Sequence, residues 1–158
     1  MIPNSNQIKY FLFEEDFILD NLRCIPMVVR LKLDTICIKL PLKAWSRFNE
    51  NERTQLAVAP CETGKDISSY RNLVLDLAKK YLIDGLGELN LKDLPGWDNP
   101  ECIPESLEKK LEEFKQSIDI FQWRSLTSLQ RFALLKLSRP GHESKNFVKA
   151  LAEFGLFK

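Results

Sequence analysis

The chain has 158 residues, of which 44% are hydrophobic, and this is enough for one ordinary domain with its own core. Its 23 basic and 22 acidic residues leave a formal net charge of +1. This balance lacks the positive footprint that binding to nucleic acid or to an anionic membrane requires, so we expect protein or small-molecule partners. No segment has the length of an apolar membrane span, and the N-terminus does not resemble a signal peptide, so we expect a cytoplasmic protein.

Acidic side chains mark the first expected helix. Glu14, Glu15 and Asp16 place negative charge where a helix N-terminus favours it, so a short helix to about Leu22 is predicted after a loosely alternating segment at residues 8–13.

The segment from residue 22 to residue 45, LRCIPMVVRLKLDTICIKLPLKAW, is the most distinctive part of the chain. Pro26 suits a first helical turn, because its fixed φ and missing N–H cost nothing there. Val29 and Leu33 then lie four residues apart, which is typical of one helix face. The same residues alternate with charged ones, as in a strand, and the proline favours the helix.

Helical periodicity continues through the rest of the chain. Thr63 and Asp66 have the spacing of a capping box, and the helix that follows is expected to end at Gly85 and Gly87. Two further helices are predicted around Phe132 and Phe147, the second closed by Gly155. The two clearest apolar stripes are Ile67, Tyr70, Val74, Leu77 and Tyr81, and Leu107, Leu111, Phe114, Ile118 and Phe121.

The stretch from Gly85 to Pro104 is predicted to be a long connector, because its prolines and glycines interrupt any regular element. Its leucines and Trp97 are too apolar for a disordered linker, so we expect it to lie ordered across the helices of a single domain, residues 1–158.

A weak internal repeat links the two halves of the sequence. Trp45, Phe48, Arg53 and Leu56 have the same mutual spacing as Trp123, Leu126, Arg131 and Leu134, and a proline follows each set. Four matched positions also arise by chance. The fold predicted from these patterns is all-α, a compact bundle of about six helices with repeated helical hairpins.

Motifs for catalysis or metal binding are absent from the sequence. It has no glycine-rich phosphate loop, nucleophile elbow or HExxH, so we do not expect an enzyme or a resident cofactor. In a cytoplasmic protein the four cysteines are expected to be buried or inert reduced thiols, since no pair has CxxC spacing. They are Cys24, Cys37, Cys61 and Cys102.

The candidate partner-binding residues are mostly basic side chains of the central segment. The candidates include Lys32, but on a helix it points about 200° away from Arg30, since each residue advances roughly 100°. We therefore expect Arg23 and Arg30 to share an exposed surface, with Asp34 orienting Arg30 from the next helical turn. The alternative is that these are ordinary solvated helix charges. His142, the single histidine, follows Pro140-Gly141 and is read as an exposed turn residue or as a secondary partner-binding candidate.

Four segments carry a resemblance to a known family. FEEDF from Phe13, LRCIPMVVRLKLD from Leu22, IKLPLKAW from Ile38 and QRFALLKLSRPGHESKNFVKALAEFGL from Gln130 resemble the bacterial nitrate reductase-associated proteins. The chain departs from the pattern at Cys37 and Pro41, where glycine and serine would form a helix stop and a cap. The residues that carry the likeness are Arg23, Cys24, Pro26, Arg30, Lys32, Asp34, Trp45, Arg131, Lys136, Pro140, Gly141 and His142.

The resemblance implies a small cytoplasmic protein whose genes lie beside those for nitrate assimilation and the molybdenum cofactor. Its implied partner is the nitrate reductase polypeptide, and the implied role is maturation, assembly or activity of that enzyme through protein contact. The second hypothesis is a carrier for the molybdenum cofactor or an iron–sulfur cluster, with Arg23, Arg30 and Lys32 meeting phosphate.

Overall fold

The computed structural model describes residues 8–88, 96–139 and 144–157. In these ranges the chain is predominantly helical, with nine α-helices and one two-stranded antiparallel sheet. The helices are α1 (Glu15–Leu19), α2 (Met27–Thr35), α3 (Leu42–Trp45), α4 (Glu50–Val58), α5 (Gly64–Lys80), α6 (Glu105–Glu113), α7 (Ile120–Ser125), α8 (Ser128–Leu137) and α9 (Ser144–Glu153), and the strands are β1 (Ile38–Lys39) and β2 (Gly87–Glu88). The all-α class is confirmed, and three short helices, α1, α3 and α7, accompany six longer ones.

Backbone contacts divide the chain into two compact units. Within the described part, unit 1 contains residues 8–10 and 14–88, and unit 2 contains residues 11–13, 96–139 and 144–157. The assignment of residues 1–158 to a single domain stays a prediction.

The part of the central segment after Pro26 is a helix, α2, which resolves the ambiguity between periods of two and four. Pro26 is the N-cap of α2, and its carbonyl oxygen accepts hydrogen bonds from the backbone N–H groups of Val29 and Arg30. The helix ends at Thr35, after which Cys37 has a left-handed backbone with φ of 60°. This is the conformation that glycine adopts most easily, and it explains why a glycine is expected at position 37.

Among the helix starts that the structure describes, four have a capping box, in which the N-cap side chain and the N3 side chain each accept the other residue's backbone N–H. The predicted pair, Thr63 and Asp66, is confirmed at the start of α5. The other pairs are Asn49 and Glu52 in α4, Asp119 and Gln122 in α7, and Thr127 and Gln130 in α8.

The end of α5 corrects the expectation that glycines stop this helix. The helix ends at Lys80, and Leu82 has a left-handed backbone with φ of 52°. Its N–H donates to the carbonyl of Lys79 at 3.2 Å, and the N–H of Ile83 donates to that of Ala78 at 2.8 Å. These two bonds form a Schellman motif with leucine at the position usually taken by glycine. Gly155, with φ of 72°, does follow α9 as predicted.

The described part of the connector contains a short strand, β2, that the sequence does not suggest. Strand β2 pairs antiparallel with β1, with Ile38 opposite Glu88 and Lys39 opposite Gly87. A Cβ at Gly87 would lie 3.2 Å from the Cβ of Lys39, so glycine permits the close approach of the two strands. The leucines at 89, 91 and 94 lie outside the described residues.

The internal repeat extends from four positions to whole elements. When the first half of the sequence is shifted by the interval from Trp45 to Trp123, α2 coincides with α6. The first residues of α3 and α4 then coincide with the first residues of α7 and α8. Cys37 and Lys115, both left-handed, also coincide, as do the tripeptides Cys24-Ile25-Pro26 and Cys102-Ile103-Pro104. One copy falls in each compact unit.

Each copy buries its tryptophan. Trp45 in unit 1 and Trp123 in unit 2 are 0% exposed and lie in the cores of their units, whereas Trp97 is half-buried. Other buried apolar side chains are Val29, Leu33, Phe48, Leu56, Tyr70 and Val74 in unit 1, and Leu107, Leu111, Phe132, Leu134, Phe147 and Leu151 in unit 2.

Candidate functional site

The five predicted partner-binding residues have different environments. Arg23 is exposed and its Nε lies 2.9 Å from the Asp20 carboxylate. Arg30 and Lys32 are half-buried, and Asp34 is buried. The expectation that Arg30 shares an exposed surface with Arg23 is therefore wrong. His142, with Pro140 and Gly141, lies outside the described residues.

The Arg30 side chain folds back towards the N-terminal end of α2. Its Nε donates to the carbonyl oxygen of Ile25 at 3.0 Å. Burial lowers the pKa of the guanidinium, and the negative charges of Glu14 and Asp34, with the Cys24 thiol, act in the opposite direction. The Asp34 charge does favour the charged form of Arg30, as expected, but the guanidinium is half-buried and does not lie on an exposed helix face.

Lys32 closes the C-terminal end of α4. Its Nζ donates to the carbonyl oxygens of Ala57 at 2.8 Å and Ala59 at 2.6 Å, and lies 5.7 Å from the centre of the Tyr70 ring. Carbonyls in the last turn of a helix have no donor within the helix, so an ammonium group satisfies them. Burial lowers the pKa of Lys32 to about 8, against an opposing effect of Cys61.

In unit 1 a tryptophan and an arginine tie the loops around the short helix α3 together. The Nε1 of Trp45 donates to the Leu22 carbonyl at 2.7 Å. Arg53 donates to the carbonyls of Trp45, Ser46 and Asn21 at 3.3, 3.0 and 2.9 Å, and its guanidinium lies 6.0 Å from the centre of the Trp45 ring. We call this arrangement the Trp–Arg bracket.

Unit 2 repeats the Trp–Arg bracket with equivalent residues. Trp123 donates through Nε1 to the Asn99 carbonyl at 2.9 Å, and Arg131 donates to the carbonyls of Leu126 and Trp97 at 2.7 and 2.8 Å. The planar guanidinium fork serves several carbonyls at once, which a lysine ammonium does less well. The repeated tryptophan and arginine therefore have a structural role, which is to bind backbone carbonyls of the loops in each unit.

A second group of polar side chains lies at the C-terminal end of α5, and we call it the Tyr81 cluster: Arg47, Glu52, Lys80 and Tyr81. Glu52 Oε2 accepts from Lys80 Nζ at 2.7 Å, and its Oε1 accepts from the Tyr81 hydroxyl and from the Asn49 backbone. Two cations lie near the Tyr81 ring, with Lys80 Nζ 5.2 Å and Arg47 Cζ 5.9 Å from its centre.

The electrostatics of the Tyr81 cluster keep Glu52 ionised. Burial raises the pKa of its carboxyl, but hydrogen bonds from Lys80, Tyr81 and the Asn49 backbone outweigh burial and lower it. The same bonds raise the pKa of Lys80 and of Tyr81. Arg47 is exposed, and within the described ranges its guanidinium has no ion pair with an acidic side chain.

Sequence reasoning did not identify the Tyr81 cluster as a site. Tyr81 belongs to the predicted apolar stripe of α5, and Lys80 follows another lysine, which is typical of a helix C-terminus. Arg47 and Glu52 come from a different part of the chain. The available signal was an aromatic residue directly after two lysines and before a leucine.

No group of three or more histidine, cysteine, aspartate or glutamate side chains converges in residues 8–88, 96–139 and 144–157. All four cysteines are free thiols, with Cys102 exposed and the other three half-buried. None of the helices in the described part of the chain is both long and apolar enough to span a bilayer.

The comparison with protein families gives a clear result. The model of the conserved nitrate reductase-associated protein family matches residues 10–154. The chain belongs to this family. No curated protein matches the chain, and no solved structure matches it.

In this member of the nitrate reductase-associated family, several residues that carry the likeness have structural contacts. Pro26 begins α2 and Lys32 closes α4. Trp45 belongs to the Trp–Arg bracket of unit 1, and Arg131 belongs to that of unit 2. The side chains of Lys32, Trp45 and Arg131 satisfy backbone groups inside their own unit. A partner surface is therefore better sought among exposed side chains such as Arg47 and Lys80 of the Tyr81 cluster.

Proposed function

We propose that this protein is an accessory factor for cytoplasmic assimilatory nitrate reductase, and that it acts on the maturation or assembly of that enzyme by protein contact. The observation that carries the proposal is the family match over residues 10–154. The family description names an association with the reductase, and a contact with the reductase polypeptide is the simplest form of such an association.

The side-chain chemistry supports a binding role. Arg30, Lys32, Arg53 and Arg131 all donate to backbone carbonyls of their own unit, so they stabilise the fold. The Tyr81 cluster instead combines exposed cations with an aromatic ring, which is a composition enriched at protein interfaces. We assign no catalytic step to any of these groups.

A deletion strain tests the proposal. Because a maturation factor acts after translation, cells that lack the protein should contain the reductase polypeptide but show lower nitrate reductase activity per amount of polypeptide. Quantitative immunoblotting and an activity assay on the same lysates measure this ratio. Expression of the wild-type chain from a plasmid is the control, and should restore the ratio.

Normal specific activity in the deletion strain would contradict the proposal. Purification of the protein from nitrate-grown cells distinguishes the modes of action. Co-purification of the reductase polypeptide supports direct contact, whereas a coloured or metal-containing preparation without the reductase favours the carrier hypothesis.

A further inference from the structure

Leu82 has a conformation and an exposure that the described residues of its unit do not explain. Its side chain is 82% exposed, although leucine is a large apolar residue, and its backbone is left-handed with φ of 52°. In this region the Cβ of an L-residue crowds the following carbonyl oxygen, and the position in a Schellman motif is normally glycine or asparagine. Leucine at residue 82 thus lowers the free energy of unfolding relative to glycine or asparagine, and its burial does not offset this loss because little of its apolar area is buried.

The neighbours of Leu82 form a basic and aromatic rim. Lys79 and Lys80 are exposed at the end of α5, Tyr81 directly precedes Leu82, and Arg47 lies against the Tyr81 ring. The acidic residues nearby are Asp84, which is exposed, and Glu52, which is bonded to Lys80. The three cations Arg47, Lys79 and Lys80 therefore still outnumber the anions around the leucine. An apolar anchor beside tyrosine and arginine has the composition of an interaction hot spot.

We propose that Arg47, Lys80, Tyr81 and Leu82, here named the Leu82 surface, dock an acidic segment of the nitrate reductase polypeptide. Leu82 packs against an apolar side chain of that segment, and Arg47 pairs with a carboxylate. The inference rests on the proposed function. Charge complementarity selects the occupant, because Arg47 has no acidic partner within the described ranges and a guanidinium binds carboxylates through a planar fork.

The first test substitutes the anchor without disturbing the helix end. Asparagine tolerates the left-handed backbone, so Leu82→Asn should keep or raise the melting temperature. Its affinity for the purified reductase polypeptide should fall about tenfold or more, as for a buried hot-spot side chain. Circular dichroism measures the melting temperature, and biolayer interferometry measures the affinity.

The second test reverses the charge of the surface. Arg47→Glu should weaken the same binding and remove part of its dependence on salt concentration. Lys65→Glu is the matched control, because Lys65 is an exposed lysine in the first turn of α5, about 24 Å along the helix from Tyr81. Phe121→Ser in unit 2 controls for the general loss of an exposed apolar side chain. Both control variants should bind like the wild type.

The outcomes separate this inference from the proposed function. If the wild-type chain binds the reductase and folded Leu82→Asn and Arg47→Glu proteins bind equally well, the Leu82 surface is wrong while the accessory role stands. If Phe121→Ser alone loses binding, the contact lies in unit 2 and the inference is overturned. If the wild-type chain does not bind the reductase, direct contact itself is wrong, and the docking surface with it.

Discussion

At the scale of single residues, burial decides what a charged side chain does. Arg30 and Lys32 belong to one short basic segment, and the sequence places both on a partner-binding surface. In the folded chain each is half-buried and donates to backbone carbonyls, Arg30 at the start of α2 and Lys32 at the end of α4. Arg23, with its exposed ion pair to Asp20, is the one of the three that lies on the surface.

The lowered pKa of Lys32 predicts a pH dependence of stability. Its pKa is about 8 in the folded chain, below the ordinary value of 10.5, so between these values the unfolded chain binds more protons than the folded one. The contribution of Lys32 to the free energy of unfolding should therefore rise as pH increases through this window. Urea unfolding of wild type and Lys32→Gln at about pH 7 and about pH 9.5 measures the difference.

The wild type should gain stability relative to Lys32→Gln at the higher pH. Lys65→Gln, at an exposed position, is the control and should follow the wild type. A difference between wild type and Lys32→Gln that is constant with pH would show that Lys32 does not change its protonation in this range.

At the scale of elements, the Trp–Arg bracket is the unit that the repeat preserves. Each copy has a buried tryptophan on a short helix, a capping box at the start of the next helix, and an arginine directly after the N3 residue of that box. The two arginines differ in burial, since Arg131 is 7% exposed and Arg53 is half-buried.

This difference predicts unequal costs of substitution. Arg131→Ala leaves the carbonyls of Trp97 and Leu126 without their donor in a buried place, so it should lower the free energy of unfolding by about 3 kcal/mol or more. Arg53→Ala should cost about 1 to 2 kcal/mol, because water replaces part of its bonding. Urea denaturation of both variants tests this order.

Arg131→Lys is the matched variant that keeps the charge. It should recover only part of the loss, because an ammonium group does not reproduce the planar fork. Equal losses for Arg53→Ala and Arg131→Ala would contradict the argument from burial.

At the scale of the whole molecule, two compact units repeat one order of elements while their surfaces differ. The helices α2 and α6 have equal length, but five residues of α2 are buried and only Leu107 and Leu111 of α6 are. Unit 1 also carries the Tyr81 cluster. The backbone plan is thus repeated, while the exposed chemistry is specific to each unit.

The cysteines give a prediction for the function of the whole chain. If the thiols are structural, replacing Cys61 and Cys102 together by serine should leave the reductase-supporting activity of the protein unchanged, since Cys61 is half-buried and Cys102 is an exposed free thiol. Complementation of the deletion strain by the double variant, with nitrate reductase specific activity as the readout, measures this. Circular dichroism is the control for folding.

Loss of complementation by a folded double variant would point to a thiol or metal role for these residues. The double variant Cys24→Ser, Cys37→Ser would then show whether the effect is confined to Cys61 and Cys102. One of the two positions substituted in that variant, Cys37, also has a left-handed backbone.

The sequence by itself determined the helical class, the family and the local starts of helices. Pro26 and the pair Thr63 and Asp66 predicted their helix starts because a cap involves residues only three or four positions apart. The repeat could be recognised in the sequence because the tryptophan and the arginine of each copy belong to one helical hairpin. Their spacing is therefore local and is the same in both copies. The end of α5 was predicted wrongly, because leucine occupies the left-handed position in which glycine is expected.

Tertiary structure decided which side chains are exposed and which of them meet. Lys32 contacts Ala59, Arg53 contacts Asn21, and Tyr81 contacts Glu52, each across more than twenty residues of chain. Helical periodicity assigns a residue to one face of its own helix, but it does not show which distant loop covers that face. For this reason the sequence did not show that Arg30 and Lys32 donate to backbone carbonyls of their own unit, and the Tyr81 cluster became visible only in the folded chain.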